Sequence, residues 1–418
     1  MSTVWRWLSR LLLMLLFVVA AIAAIWGYGR LTSPTAAQQA ALDLMQLPPP
    51  PDGDNGWAIL MALPEAPAAA LPSAVDCGDG MDCIAHIETA LEANAATLEA
   101  WRPRLEAATR ALRAPAFRSP EDLGPFDALP PFQPLLRLDG LRALDFLRGD
   151  PAAALDAACR DAQGAIVRVV RPGTLIEAII GVAVFRQHAT LIADMRRRAP
   201  MDALPASCTA LGEAPDAAAE GTLCAAMRGE FQWLSQQLPA ILDPLPTGYG
   251  PQRMAPLLHD IDWLLAHTAE RYATACGPEA EAMARKDRAV VYEHIDLRWV
   301  DRVAFPVSVN LNEIAVPALF DYTERQLDFV AQRRLLAALL QMDTMAPTLS
   351  NAERFAALPA ALRDGPRPLQ LAEDGNSLSV PLRSPRSQEQ PAEARLPLPQ
   401  RPAAGSEAKA GGPTVGLD

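Results

Sequence analysis

The chain lacks any excess of basic residues: 37 lysines and arginines face 49 aspartates and glutamates, for a net charge of −12. It also lacks a basic patch with interleaved aromatics, which argues against nucleic acid as a partner. The short signatures of common chemistry are missing too. No GxSxG, no HExxH and no glycine loop able to cradle a phosphate occurs. Strand and helix patterns do not alternate, so nothing points to a parallel α/β sheet. No second CxxC or His-x-His supplies four soft ligands at metal-binding spacing, and neither a metal nor another cofactor is expected. The stretch "GDPAAALDAAC" (Gly149 to Cys159) is similar to the helix junction of a tetratricopeptide repeat. Nothing recurs near 34 residues, however, and a lone repeat cannot bury its own faces.

Apolar residues are plentiful. They make up 50% of the 418 residues, enough for a sizeable core. Most of the 39 prolines stand between apolar segments, where a residue without an N–H ends helices.

The longest apolar run is at the start, "MSTVWRWLSRLLLMLLFVVAAIAAIWGYGR". No charge interrupts Leu11 to Gly29, a length suited to a bilayer's hydrocarbon layer. Trp5 and Trp7 precede the run, and Trp26 and Tyr28 end it, as an aromatic belt at two interfaces requires. Arg6 and Arg10 lie before the run and only Arg30 follows, so the positive-inside bias leaves the amino terminus in the cytoplasm. The expectation is a retained single-pass anchor in a bacterial inner membrane, crossing through residues 11–29, with the body in the periplasm. The alternative is a secreted protein whose signal peptide is cleaved near "AAIAA" (Ala20 to Ala24).

Export bears on the six cysteines at 77, 83, 159, 208, 224 and 276. An even number in an oxidising compartment reads as a disulfide set. Proximity along the chain favours Cys77–Cys83 and Cys208–Cys224, leaving Cys159 for Cys276.

Helical periodicity dominates the body. A short helix, Ala36 to Leu47, leads to "PPPPDGDNG", a stiff spacer followed by a turn. Ile84, Ile87, Leu91, Leu98 and Leu105, with Asn94 and Trp101, form one stripe of a long helix that Pro103 should kink. Helices follow over Phe132–Arg148 and Pro151–Val170, the second with Asp150 as N-cap. "LIEAIIGVAVF", after a Thr174–Glu177 capping box, is expected to be the central buried helix. Residues 199–221 read as a loop, and further helices are expected near Leu223–Leu242, Pro256–Ala275 and Glu279–Val291. A long helix follows Pro317. Leu369/Leu371 and Leu378/Val380/Leu382 alternate around Asp374-Gly375, a hairpin signal. Beyond Ser384 the Pro, Ser, Glu, Arg and Gly composition suits disorder.

The richest neighbourhood for chemistry is "HDIDWLLAHTAERY". Asp260 and His267 share a helix face, and His267 meets Glu270 three residues on. His259, His267 and Glu270 are therefore the catalytic candidates, as a general base with an orienting carboxylate. The competing reading is a solvated face in which these groups pair with Arg271. "YEHID" (Tyr292 to Asp296) is a second, similar cluster. Arg196, Arg197 and Arg198 suit the C-terminal dipole of the helix they end.

"DNGWAILMAL", "CGDGMDC", "RGEFQWL", "FDYTERQLDFVAQRRLLAALL" and "DGPRPLQLAEDGNSLSV" together resemble a family of single-pass, mostly α-helical envelope proteins of proteobacteria. The resemblance spans roughly residues 50–385. No activity is assigned to that family, so the resemblance implies an architecture and no catalytic residues. The chain departs from the family at "RDGPRPL" (Arg363 to Leu369), where relatives have an aromatic-containing Asp-Pro-x-x-Gly-x-Pro segment.

The expected architecture is all-α. Residues 1–30 form the cytoplasmic stub and anchor, 31–56 a short helix and spacer, and 57–364 an irregular multi-helix domain. A β-hairpin over 365–384 and a loose tail over 385–418 complete it. The expected function is that of a tethered interaction or assembly factor with an envelope protein as partner. The alternatives are a periplasmic hydrolase or metal-dependent enzyme using His259, His267 and Glu270, and small-ligand binding inside the helical domain.

Overall fold

The structure is a computed structural model that describes residues 3–31, 34–67, 82–120, 129–199, 203–242, 260–290, 297–315, 320–384 and 392–399. The elements run α1 (Thr3–Leu31), α2 (Ala36–Leu44), α3 (Gly56–Met61), α4 (Cys83–Glu88), α5 (Leu91–Arg113), α6 (Leu138–Arg148), α7 (Pro151–Val170) and α8 (Leu175–Arg198). They continue as α9 (Ala206–Leu211), α10 (Ala217–Glu220), α11 (Cys224–Leu242), α12 (Ile261–Ala273), α13 (Gly277–Arg285), α14 (Trp299–Ala304), α15 (Pro306–Ala315) and α16 (Phe320–Thr344). Last come α17 (Asn351–Ala356), α18 (Ala360–Arg363) and strands β1 (Gln370–Leu371), β2 (Ser377–Pro381) and β3 (Glu393–Pro397).

Helix α8 is the axis of the fold. Thr174 caps it by accepting the Glu177 N–H at 3.3 Å. The capping box is only half formed, because the Glu177 carboxylate turns away to the Gly173 N–H and to Arg168 at 3.1 Å. Along one side α8 packs on α7 at Gly181, where a Cβ would stand 3.0 Å from the Ala165 carbonyl and 3.0 Å from the Arg168 side chain. On another side it meets α16, with Phe185 edge-on to Phe329 at 5.1 Å and Arg196 paired to Asp343. Leu191, Ile192 and Met195 are fully buried, so this apolar helix is a core element, as expected.

The main core joins α3–α8, α16 and the sheet, and a second core joins α2, α11, α12 and the first turn of α8. A third gathers Trp263, Leu264, Ala304, Phe305 and Val309 from α12, α14 and α15. β1, β2 and β3 form an antiparallel sheet in that order, with Leu371 opposite Leu378 and Leu378 opposite Leu396. Its inward residues Leu378, Val380, Leu396 and Leu398 belong to the main core.

Several expectations change. The long stripe from Ile84 to Leu105 is carried by two helices, α4 and α5, and the buried Asn94 side chain bridges the break by donating to the Ile87 carbonyl at 3.0 Å. Residues 199–221 contain α9 and α10. The tail contributes β3, because Leu396 and Leu398 alternate inward and cover the face that a two-stranded hairpin leaves open. Helix α13 ends at Arg285, short of Val291, and Asp287 just beyond it adopts φ 54°, a left-handed conformation that aspartate tolerates.

Two of the three pairs drawn from proximity, Cys208–Cys224 and Cys159–Cys276, are corrected. Cys159 bonds Cys208, tying α7 to α9, and Cys224 bonds Cys276, tying the start of α11 to the residue that precedes α13. Packing, not chain spacing, selects them: Cα atoms 49 and 52 residues apart in sequence lie 5.1 and 4.6 Å apart. Closing loops of that size contributes about 4 kcal/mol each in the chain-entropy picture. Cys83 is also disulfide-bonded, while Cys77 lies outside the described residues.

Candidate functional site where α1 meets the body

Helix α1 reaches a mean hydropathy of 2.6 in an apolar window within Trp5–Gly29, and no residue of that window is buried. It is long and apolar enough to be a membrane anchor or a signal sequence, and the disulfides point to an oxidising, exported compartment. Its far end is part of the folded body. Ile25, Trp26 and Gly27 are half-buried and Gly29 is buried. A Cβ on Gly29 would lie 3.1 Å from the Phe305 ring and 3.2 Å from the Ala304 methyl.

Beside this junction α2 docks on α12. Thr35 and Gln38 form a full capping box: the Gln38 N–H donates to Thr35 Oγ1 at 3.2 Å, and the Thr35 N–H donates to Gln38 Oε1 at 2.9 Å. With its oxygen fixed, the Gln38 amide nitrogen faces α12, lying 3.1 Å from His267 Nε2 and donating to Glu270 Oε2 at 3.4 Å. His267 Nδ1 stands 2.9 Å from the Trp263 carbonyl, which assigns the proton to Nδ1 and makes Nε2 the acceptor from Gln38. The imidazole stacks on Trp263, with ring centroids 3.8 Å apart. Burial holds His267 below the ordinary imidazole value, against the opposing pull of the Trp263 carbonyl, Asp301 and Glu270.

The structure thus brings His267 and Glu270 together around Gln38, inside a helix contact. His259 and the "YEHID" cluster lie outside the described residues. Asp260 is the N-cap of α12, accepting the Trp263 N–H at 3.0 Å, and its own N–H donates to Ser308 at 3.0 Å. Arg271 is buried and donates to the Asn312 carbonyl at 2.9 Å. The expectation of a solvated face is therefore corrected, because α2 and α15 cover it. Among the described residues no group of three His, Cys, Asp or Glu is arranged to hold a metal.

The remaining charged clusters brace the fold. Asp161, fully buried, accepts from Arg142 and Arg113, both at 2.8 Å, and faces His188 Nε2 at 3.7 Å. Burial alone would raise this carboxyl, but His188, Arg142 and Arg113 outweigh it and hold it at about 2. Arg197 and Arg198 reach from α8 to Asp82, next to Cys83, so their role extends beyond the helix dipole. Arg367, in the segment "RDGPRPL", pairs with Asp287 at 2.8 Å and with Asp328.

Interior space near these groups is small. An apolar pocket between Leu175, Ile179, Leu223 and Tyr322 holds about 10 Å³, and one beside Asp287, Arg334 and Arg367 about 100 Å³. An open groove of about 390 Å³ is lined by Glu99, Arg102, Asp145, Arg148 and Asp150.

No family model, curated protein or solved structure matches the chain.

Proposed function

We propose that the chain is a membrane-tethered periplasmic protein that acts as an interaction or assembly factor of the cell envelope. The observation that carries this reading is the junction at Gly29. A tether that ends inside a hydrophobic core, with α2 docked alongside it, presents the helical domain to a partner in one orientation. Fixed presentation lowers the ordering cost of recognition, whereas a reaction on a diffusing substrate gains nothing from it. The buried setting of His267 supports the same choice over a hydrolase, since its two ring nitrogens are engaged by Trp263 and Gln38. The charged groove around Arg102 and Arg148 is an open concave surface that could receive a partner.

The test is site-specific photo-crosslinking in intact cells, with the photoreactive residue at Ala153 in the groove and, separately, at the exposed Met61. The proposal expects one adduct of discrete mass from Ala153 that is absent from Met61. Absence of any adduct from both positions, and from further exposed positions of α5 and α7, contradicts it.

A further inference from the structure

We propose that α14 is an interfacial helix that lays Trp299 and Val303 onto the phospholipid leaflet from which α1 emerges. Trp299 is 65% exposed and Val303 49%, and they stand one turn apart on the same face. The opposite face carries Asp301 and Ala304, which are 1% and 2% exposed. The helix therefore turns an acid inward and its largest apolar side chain outward, the reverse of a helix whose outer face meets water.

Continuity with α1 identifies what covers that face. Ala304 and the adjoining Phe305 are the groups against which Gly29 packs. Leu11 to Gly29 spans about 28 Å at about 1.5 Å per residue, close to a hydrocarbon thickness of about 30 Å. With Arg10 at one boundary, Gly29 reaches the other and carries α14 to the level of the headgroups. Tyr28, 55% exposed, stands at the same level. Arg298 and Arg302 flank the apolar pair with side chains 44% and 49% exposed, their charges held by Asp301 at 2.8 Å and Glu313 at 3.3 Å. Tryptophan, tyrosine and arginine with apolar stems are the residues that settle at a bilayer interface. Leu311 on α15, 37% exposed, adds to the apolar outer surface of these two helices.

This inference rests on α1 being a membrane anchor, so the experiment reports on both. The full chain, reconstituted in phosphatidylcholine–phosphatidylglycerol vesicles, carries one spin label at a time at Val303→Cys, Trp299→Cys, Met61→Cys or Leu15→Cys. No described native cysteine is free to compete for the label. Collision with oxygen is compared with collision with a water-soluble nickel chelate. The expected result is a several-fold higher oxygen-to-nickel ratio at 303 and 299 than at 61, with the highest ratio at 15. If 303 and 299 match 61 while 15 reads as lipid, the inference is overturned and the anchor stands. If 15 also matches 61, both fall. Labels at 303 and 299 shielded from both reagents indicate a protein partner or second copy on this face, which also overturns it.

Discussion

Gly29 and Phe305 approach as closely as a missing side chain allows, 3.1 Å from an added Cβ to the ring. The end of α1 and the third core are therefore one packed unit. Gly29→Leu should overpack this contact and destabilise the chain in detergent by about 1–3 kcal/mol. Gly27→Ala is the control, since nothing lies within 4 Å of its Cβ position. Equal thermal midpoints for the two variants would contradict the packed junction.

The disulfides give a second prediction. Peptide mapping without reductant should recover Cys159 joined to Cys208 and Cys224 joined to Cys276. Removing either bridge by paired Cys→Ala substitution should lower unfolding free energy by about 2–5 kcal/mol. A recovered Cys208–Cys224 peptide would refute the arrangement of α9 and α11.

His267 gives the third. Burial depresses its folded-state pKa, so below the unfolded value of about 6.5 the unfolded chain binds the extra proton. Its contribution to stability is full above pH about 6.5 and is lost as pH falls, when a proton on Nε2 would face the Gln38 amide N–H. Urea midpoints of the parent, minus those of His267→Phe, should shrink between pH 7 and 5. Taking the difference separates this group from Glu220 and Glu230, which burial raises and which slope the opposite way. At lower pH, Asp161, held at about 2, loses its contribution below the ordinary carboxyl value of about 3.9. A difference constant from pH 7 to 5 would contradict the assignment of His267.

Arg367 gives the fourth. It satisfies Asp287 and Asp328, two nearly buried carboxylates, and links the sheet to α13 and α16. Arg367→Met leaves both acids without that partner and should cost about 3–5 kcal/mol. Amide exchange should show β2 and β3 losing protection before α8. Unchanged protection of the strands would show that the ion pairs do not hold the sheet.

What could be read from the residues in order was whatever one segment decides alone. The Asp150 cap with Pro151 marked α7, the uncharged run marked α1, and the Leu alternation around Asp374-Gly375 marked β1 and β2. What could not be read depends on segments far apart in the chain. Gln38 meets His267 across 229 residues, so nothing in α12 itself distinguishes a covered face from a solvated one. The Thr35-x-x-Gln38 spacing signals a capping box, but not what the free amide touches. β3 was hidden because its polar, proline-flanked segment needs the β2 edge to become a strand. Arg367 looked like a departure from a pattern, and its worth appears only once Asp287 and Asp328 are beside it.

The proposed function requires that α1 stays in the membrane and holds the body on the far side. An alkaline phosphatase reporter, active only where its disulfides form, fused after Asp364 and assayed in carbonate-washed membranes, tests this most directly. The expected result is phosphatase activity that remains with the membrane pellet. Activity released to the soluble fraction, or none at all with the fusion protein intact, would contradict it.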